Sequence, residues 1–459
     1  MRYLAIDLGS TFIKGAVLDL EAGSLEPVGR VRFPDPQSGG EGWRREFDPA
    51  AIVEATRGVL DLLAARAPEA CGVVLCSQLH GMVFTSREGE ALSPAITWQD
   101  QRGLLPLPGG GGSYFDELNR RLGPAVRREL GNEPRPGVPL CFLFWLRETG
   151  GMPSRGAIPA SLANHVVASL GRTAPVSDLT NAFAHGALDI RSGDWHRGAL
   201  ESLRLGELEW PRIVAQGSVI AEYRTAAGRR LPIHAPVGDY HCSQVGAFLE
   251  EGELSVNIST GSAVIQVANG PEQGDFQTRP WFDGRFLKTV THIPGGRALN
   301  ALVQLCTELV PREGGDIADP WPQILARAEA SGPSDLRLDP AFYFSATGDR
   351  GSLRNMREEN LTVGHLFRAA FEGMAENYDR CATRINPARD WRRVVFSGGV
   401  ALKTRLLREL ILRRLGAAHR IAPCEEDTLA GLLCLAMAFS GRAPTVAEAM
   451  RELRPRFNP

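Results

Sequence analysis

DLGSTFIK, Asp7 to Lys14, stands between two apolar runs, Tyr3 to Ile6 and Ile13 to Leu20. Apolar runs broken by a short polar, glycine-bearing segment read as two strands and a turn, so Asp7-Leu8-Gly9-Ser10-Thr11 is predicted to close a hairpin. Such a turn presents backbone N–H groups and hydroxyls with little side-chain bulk, which suits a phosphate. Asp7 is placed to hold Mg²⁺ directly or through water, and Lys14 to neutralise phosphate charge. An ordinary acidic hairpin is the competing reading of the same residues.

Around this hairpin the first half reads as α/β. Ala51 to Ala65 has helical spacing, and Gly72 to Cys76 is a short apolar run of the kind buried on both faces of a sheet. The second half repeats the opening: Leu254 to Ile258 and Ala263 to Val267 are strand-like and flank Ser259-Thr260-Gly261-Ser262. Gly9-Ser10 and Gly261-Ser262 occupy matching places, which predicts a duplicated, two-lobed protein. The expected lobes are residues 1–235 and 236–459. Further on, Val363 to Asp379 is expected to be helical, and Arg393 to Phe396 is a strand running into Ser397-Gly398-Gly399. Leu402 to Arg413 should be the helix that follows, and Thr428 to Phe439 a last apolar helix with Glu425-Glu426-Asp427 at its N-terminus.

The chain has 459 residues, more than one core usually serves, since single cores stop growing near about 300 residues. Lys plus Arg number 51 and Asp plus Glu 53, without a long run of either sign. No basic stripe for nucleic acid or an anionic membrane is present, so small-molecule chemistry is expected. The eight cysteines are scattered and none forms a CxxC pair, as in a reduced cytosolic protein. MRYLAIDLGS is not a signal peptide and no long apolar span occurs; the expected location is the cytoplasm.

GDYHCSQVGA, Gly238 to Ala247, places Asp239 where a carboxylate could take a proton from an attacking hydroxyl; a capping aspartate is the plain alternative. Gly398, Gly399 and Lys403 in SGGVALK form a strand-to-helix joint open to a flat ring. PLPGGGGS, Pro106 to Ser113, is expected to be a surface loop. Trp98, Asp100 and Arg102 in ITWQDQR are read as alternate residues of an extended segment, facing one pocket. A surface ion pair beside a core tryptophan is the other reading. No G-x-G-x-x-G follows the first strand, which argues against a dehydrogenase.

Taken in order, DLGSTFIKGAVLD, CSQLHG, ITWQDQR, SDLTNAFAHGALDIRSGDW, VGDYHCSQVGA, NISTGS and FSGGVALK resemble the FGGY family of carbohydrate kinases over essentially the whole chain. The resemblance implies the two-lobed ribonuclease-H-like, actin-like ATPase fold shared with Hsp70, with ATP and Mg²⁺ as cofactors and a sugar as substrate. It implies Asp239 as general base, sharing the metal with Asp7, and Gln78, His80, Trp98, Asp100, Arg102, Tyr240 and His241 on the sugar side. Gly9, Ser10, Thr11, Lys14, Gly261, Ser262, Gly398, Gly399 and Lys403 are implied at the nucleotide and its phosphates. ITWQDQR, GDYHCS and NISTGS are most similar to the sedoheptulokinase-like branch, with pentulose kinases next. Phe142, three positions before Trp145, departs from a family lysine and is read as branch variation. A non-catalytic ATPase switch of the same fold is the alternative of another class; it would carry a substrate-binding tail, which is not expected after Pro459. Monomer and homodimer both stay open.

Overall fold

The computed structural model describes residues 1–37, 41–153, 156–308, 319–424 and 426–457; Glu425 of the acidic trio and Pro459 lie outside them. The predicted hairpin is present as β1 (Arg2–Leu8) and β2 (Phe12–Asp19), joined by an exposed Ser10-Thr11 tip. It is extended by β3 (Ser24–Arg32), β4 (Val73–Ser77), β5 (Val219–Arg224), β6 (Arg230–His234) and β7 (Val237–Gly238). The sheet order is β5-β6-β4-β1-β2-β3, and β7 pairs with β4. The first sheet is therefore completed by Val237 and Gly238, immediately before Asp239.

The second sheet contains β8 (Glu253–Ile258), β9 (Ser262–Ala268), β10 (Gln277–Pro280), β11 (Phe286–Ile293), β12 (Arg393–Ser397) and β13 (Ala418–Ile421), in the order β10-β11-β9-β8-β12-β13. In the first lobe β1 pairs antiparallel with β2 and parallel with β4. In the second, β8 does the same with β9 and β12. The duplication inferred from two turns thus extends to the wiring of both sheets.

The two turns are not superimposable residue for residue. Leu8 faces Ile13 across the first turn, whereas Ile258 faces Ser262 across the second, which is one residue shorter. Gly9 opens its turn and Gly261 closes the other, so the expected match of Gly9-Ser10 with Gly261-Ser262 holds for the hairpins and not for the glycines.

Side-chain alternation along β1 explains the layering. Leu4, Ile6 and Leu8 pack with Ile52, Leu60 and Leu63 of the helix Pro49–Arg66. Tyr3 and Ala5 point the other way, into a core with Cys242, Val245, Leu432, Leu433 and Ala436. That core also takes Ile265 and Val395 from the second sheet. The helices Asp239–Gly246 and Asp427–Phe439 are therefore held between the two sheets. They cross tightly: a Cβ on Gly246 would lie 1.8 Å from the Asp427 carbonyl oxygen, and one on Gly431 2.1 Å from that of Cys242. Only glycine permits this approach, in which the first turn of the helix Asp427–Phe439 crosses the last turn of the helix Asp239–Gly246.

Two predicted elements differ. The helix expected over Leu402 to Arg413 is two helices, Gly399–Lys403 and Arg405–Leu415, broken at Thr404. Residues 98–102 are not extended: the Asp100 N–H bonds the Thr97 carbonyl at 3.0 Å and Arg102 opens a single 3₁₀ turn. The turn cancels the alternation, leaving Trp98 exposed and Asp100 and Arg102 buried.

Candidate active site

A cleft of about 660 Å³ opens at the paired helix N-termini. Asp239 and Asp427 are the first residues of their helices, and both line it, together with Tyr240, Asn257, Ser259, Gly398, Gly399, Lys403 and Thr428. Helix N-termini present free N–H groups and a positive dipole end, so two of them converging favour anionic ligands. Gly398 has φ of 85°, and a Cβ there would lie 2.5 Å from the Ile258 carbonyl oxygen. Glycine at this joint lets the end of β12 pass directly against the end of β8, where the Ser259–Gly261 turn begins. Asn257 and Ser397, opposite each other at the ends of β8 and β12, are joined by a 2.8 Å hydrogen bond.

Asp7, on β1, does not line this cleft but bonds Thr428, which does. Its carboxylate accepts from Thr428 Oγ1 at 2.7 Å and from the Cys76 thiol at 3.6 Å. Lys14 is ion-paired to Glu426, which also lines the cleft. Burial pushes Asp239 up to about 8, with the charge of Asp7 adding to the effect. Burial, followed by Asp7, pushes Asp427 up to about 7. Burial raises Asp7 as well, against the hydrogen bond from Thr428 and the charge of Lys14.

Three carboxylates crowded so that none ionises easily form a site short of positive charge. Hard oxygen donors of this kind suit Mg²⁺, which binds through one or two carboxylates and completes its shell with water and substrate phosphates. Among the described residues no group of three His, Cys, Asp or Glu side chains is placed to hold a metal ion by itself. Asp7 and Asp239 would hold the ion, and it would supply charge neutralisation at the phosphates.

Asp239 is positioned from behind. The Gly238 N–H donates to Thr180 Oγ1 at 2.8 Å, and Thr180 in turn donates to Asp178 at 2.9 Å. Asn181 Nδ2 donates to the Pro236 carbonyl at 2.6 Å. SDLTNAF thus grips the backbone on either side of Val237 and fixes where the helix Asp239–Gly246 begins.

On the other side of Asp239 the first turn of that helix directs Tyr240 and His241 inward; an extended backbone, with one of them facing away, is not what forms. Tyr240 Oη bonds Thr289 Oγ1 at 2.6 Å, and the Arg279 guanidinium lies 4.5 Å from its ring centroid. His241 is fully buried and neither ring nitrogen has a partner among the described residues. Burial pushes its imidazole down to about 3, so the ring is neutral. His80, with φ of 64°, bonds Glu133 at 2.6 Å, and Glu133 also takes Arg279 at 2.9 Å and Arg135 at 3.2 Å. This cluster ties the two lobes together.

The remaining sequence candidates are distributed as follows. Gln78 lies beside Gly9, with its amide 3.5 Å from the Gly9 carbonyl. Gly9, Ser10 and Thr11 do not line the cleft, although Lys14 and Asp7 engage residues that do. Gly261 is exposed, but the Ser262 hydroxyl is turned into the lobe, where it accepts from Tyr378 at 2.9 Å. Neither Gly261 nor Ser262 lines the cleft; Ser259 does, with its hydroxyl donating to the Gly261 carbonyl at 3.2 Å.

Arg102 is bound bidentately by Asp100, at 2.8 and 2.9 Å, and by Glu46 at 2.7 Å. These side chains satisfy one another, so that of Trp98, Asp100 and Arg102 only Trp98 stays exposed. The Arg102 guanidinium lies 5.8 Å from the Phe142 ring and 5.1 Å from Trp145. A lysine at 142 would put a second cation beside Arg102, so phenylalanine at this place is explained by the arginine. Asp427, Glu133, Arg279, Arg135, Asn257 and Thr180 were not singled out from sequence. Asp178 and Thr180 had a local signal in SDLTNAF, Asn257 in NISTGS and Asp427 in the acidic start of the last apolar helix.

The molecule has the actin-like, ribonuclease-H-like two-lobed fold. The gluconate kinase of Lactobacillus acidophilus superposes over 100% of this chain and 97% of its own with a TM-score of 0.83 at 19% identity. The xylulose kinase of the same organism covers 99% and 96% with a TM-score of 0.82 at 18% identity. Residues 2–246 match the N-terminal domain of the FGGY family of carbohydrate kinases, and the chain belongs to that family. It is a sugar kinase, a phosphotransferase. Sedoheptulokinase of Mus musculus is 23% identical across 89% of this chain and 92% of its own length. A glycerol kinase of Saccharolobus islandicus is 25% identical across 58% and 53%. Among the described residues no helix is long and apolar enough to cross a membrane.

Proposed function

We propose that the chain transfers the γ-phosphoryl group of ATP to a primary hydroxyl of a ketose, with sedoheptulose the first candidate and xylulose or ribulose the next. The observation that carries the choice of sugar is the similarity to mouse sedoheptulokinase along nearly the full length of both chains. The likeness of the fold to xylulose kinases supports the pentulose reading. In this scheme the lobes are residues 1–235 and 236–459, and the nucleotide lies along Gly398, Gly399 and Lys403. Its phosphates lie between the Gly9–Thr11 turn and the turn at Ser259 to Gly261, with Ser262 contributing its backbone, Lys14 nearby and Mg²⁺ on Asp7 and Asp239.

The acceptor sits on the His80, Tyr240 and His241 side, with Trp98 exposed as an apolar platform and Gln78 at its edge. Asp100 and Arg102 act by holding that segment in place. Asp239 takes the hydroxyl proton as the oxygen attacks in line, and closure of the lobes keeps water from the phosphate.

The test is ADP release by purified protein with Mg·ATP against sedoheptulose, xylulose, ribulose, gluconate and glycerol. A kcat/KM at least ten times higher for sedoheptulose than for any other acceptor is expected. A preference for xylulose or ribulose would move the chain to the pentulose reading, and a preference for gluconate or glycerol would overturn the ketose assignment.

A further inference from the structure

A second cavity, of about 600 Å³, opens where residues 115–135 of the first lobe meet β10, β11 and the end of the helix Val363–Ile385. It shares no lining residue with the Asp239 cleft. Arg127, Arg128, Arg135 and Arg384 line it, with Asp275 as the one carboxylate among its lining residues.

The charges do not balance. Arg384 is paired with Asp275 at 2.9 Å. Arg135 must share Glu133 with Arg279, and its Nε is buried without a partner. Arg127 and Arg128 have no carboxylate partner among the described residues; the Arg127 guanidinium makes one long bond, 3.4 Å, to the Pro134 carbonyl. Burial, unopposed by any acid, pushes Arg127 downward. Guanidiniums gathered in a concave, partly desolvated site without counter-charge raise the local affinity for anions, and their forked donors match phosphate oxygens. Phe115, Phe276 and Phe344 give the cavity apolar walls, and its volume is that of a small-metabolite site.

We propose that this arginine-lined cavity is a second ligand site that binds the phosphate group of a small phosphorylated metabolite, apart from the site of phosphoryl transfer. Because both lobes contribute to it, a ligand there touches both bodies that close over the reaction.

The experiment titrates inorganic phosphate into the whole protein by calorimetry at constant ionic strength. Saturating Mg²⁺ and a non-hydrolysable ATP analogue keep the catalytic cleft filled. One saturable phosphate per chain is expected, with affinity lowered at least tenfold in the Arg127→Ala/Arg128→Ala double variant and turnover without added phosphate unchanged. Arg128→Gln, at an exposed position, is the second variant should the double one misfold, and a loss of at least threefold is expected there. Absence of saturable binding to the wild type, equal binding by well-folded variants, or elimination of binding by the ATP analogue would each overturn the proposal.

Discussion

Two buried ionic clusters flank Tyr240, and they are opposites. On one side Asp7, Asp239 and Asp427 crowd together; burial raises all three, and the charge of Asp7 adds to the rise at Asp239 and Asp427. On the other, a single carboxylate, Glu133, takes two guanidiniums and an imidazole; burial works to raise it, but Arg279 and Arg135 hold it well below its ordinary range. The second cluster keeps its one carboxylate fully paired within the protein and fastens one lobe to the other. The first is satisfied only when positive charge arrives from outside. Perturbed carboxylates therefore separate the proposed reacting centre from the fastening cluster by the direction of their shift.

Asp239→Asn breaks the comparison most severely. Loss of a positioned base should lower kcat by about 10² to 10⁴, read as ADP release in saturating acceptor. The fold should not suffer. A carboxyl raised from 3.8 to about 8 stabilises the folded state fully below its unfolded value and progressively less as pH climbs through that window. Metal-free wild type should therefore melt at a lower temperature at pH 8 than at pH 5, and Asp239→Asn should flatten that slope. Near-normal turnover in this variant would remove Asp239 from the role of base. A steeper slope would show that its carboxyl is not the strained one.

Glu133→Gln should do the reverse, sparing the chemistry more than the fold. Two guanidiniums left buried without their carboxylate should cost about 3 to 5 kcal/mol, measured by urea unfolding at pH 7. The pH dependence is opposite too. Glu133 has a folded value below its unfolded 4.5, so its contribution is present above that pH and is lost as acid is added. Burial also lowers His80 below 6.5, so protonating it opposes folding in the same acid range. If Glu133→Gln lost turnover at unchanged stability, the cluster would have to be reassigned from fastening the lobes to handling the substrate.

Sequence made the satisfied and unsatisfied parts legible to different degrees. The hairpins at Asp7 and Ser259 announce themselves because strands buried on both faces leave continuous apolar runs around a polar turn. Asp239 stands out because it closes an apolar stretch within a glycine-bearing segment. Glu133 and Arg279 meet across 146 positions of chain, and no local pattern encodes a pairing that exists only once two lobes are docked. Asp427 was legible as a helix-starting acid and not as the neighbour of Asp239, since that proximity depends on Gly246 and Gly431 admitting a close helix crossing. Trp98, Asp100 and Arg102 misled in the opposite sense. Their spacing fits a strand, but the turn from Thr97 to Asp100 folds the two charges onto each other.

Thr180→Val is the smallest of these changes and separates position from charge. The methyl group keeps the volume while the Gly238 N–H loses its acceptor and Asp178 loses a donor. An unmet buried hydrogen bond costs about 1 to 3 kcal/mol, which should appear as a modest fall in melting temperature. If Thr180 serves to set the start of the helix Asp239–Gly246, kcat should fall roughly tenfold, while the KM for ATP and the pH dependence of stability stay as in wild type, because the carboxylates remain crowded. Thr180→Ser, which keeps the hydroxyl, should restore most of the rate. Equal kcat in Thr180→Val and wild type would mean that the helix crossing at Gly246 and Gly431 alone fixes where Asp239 stands.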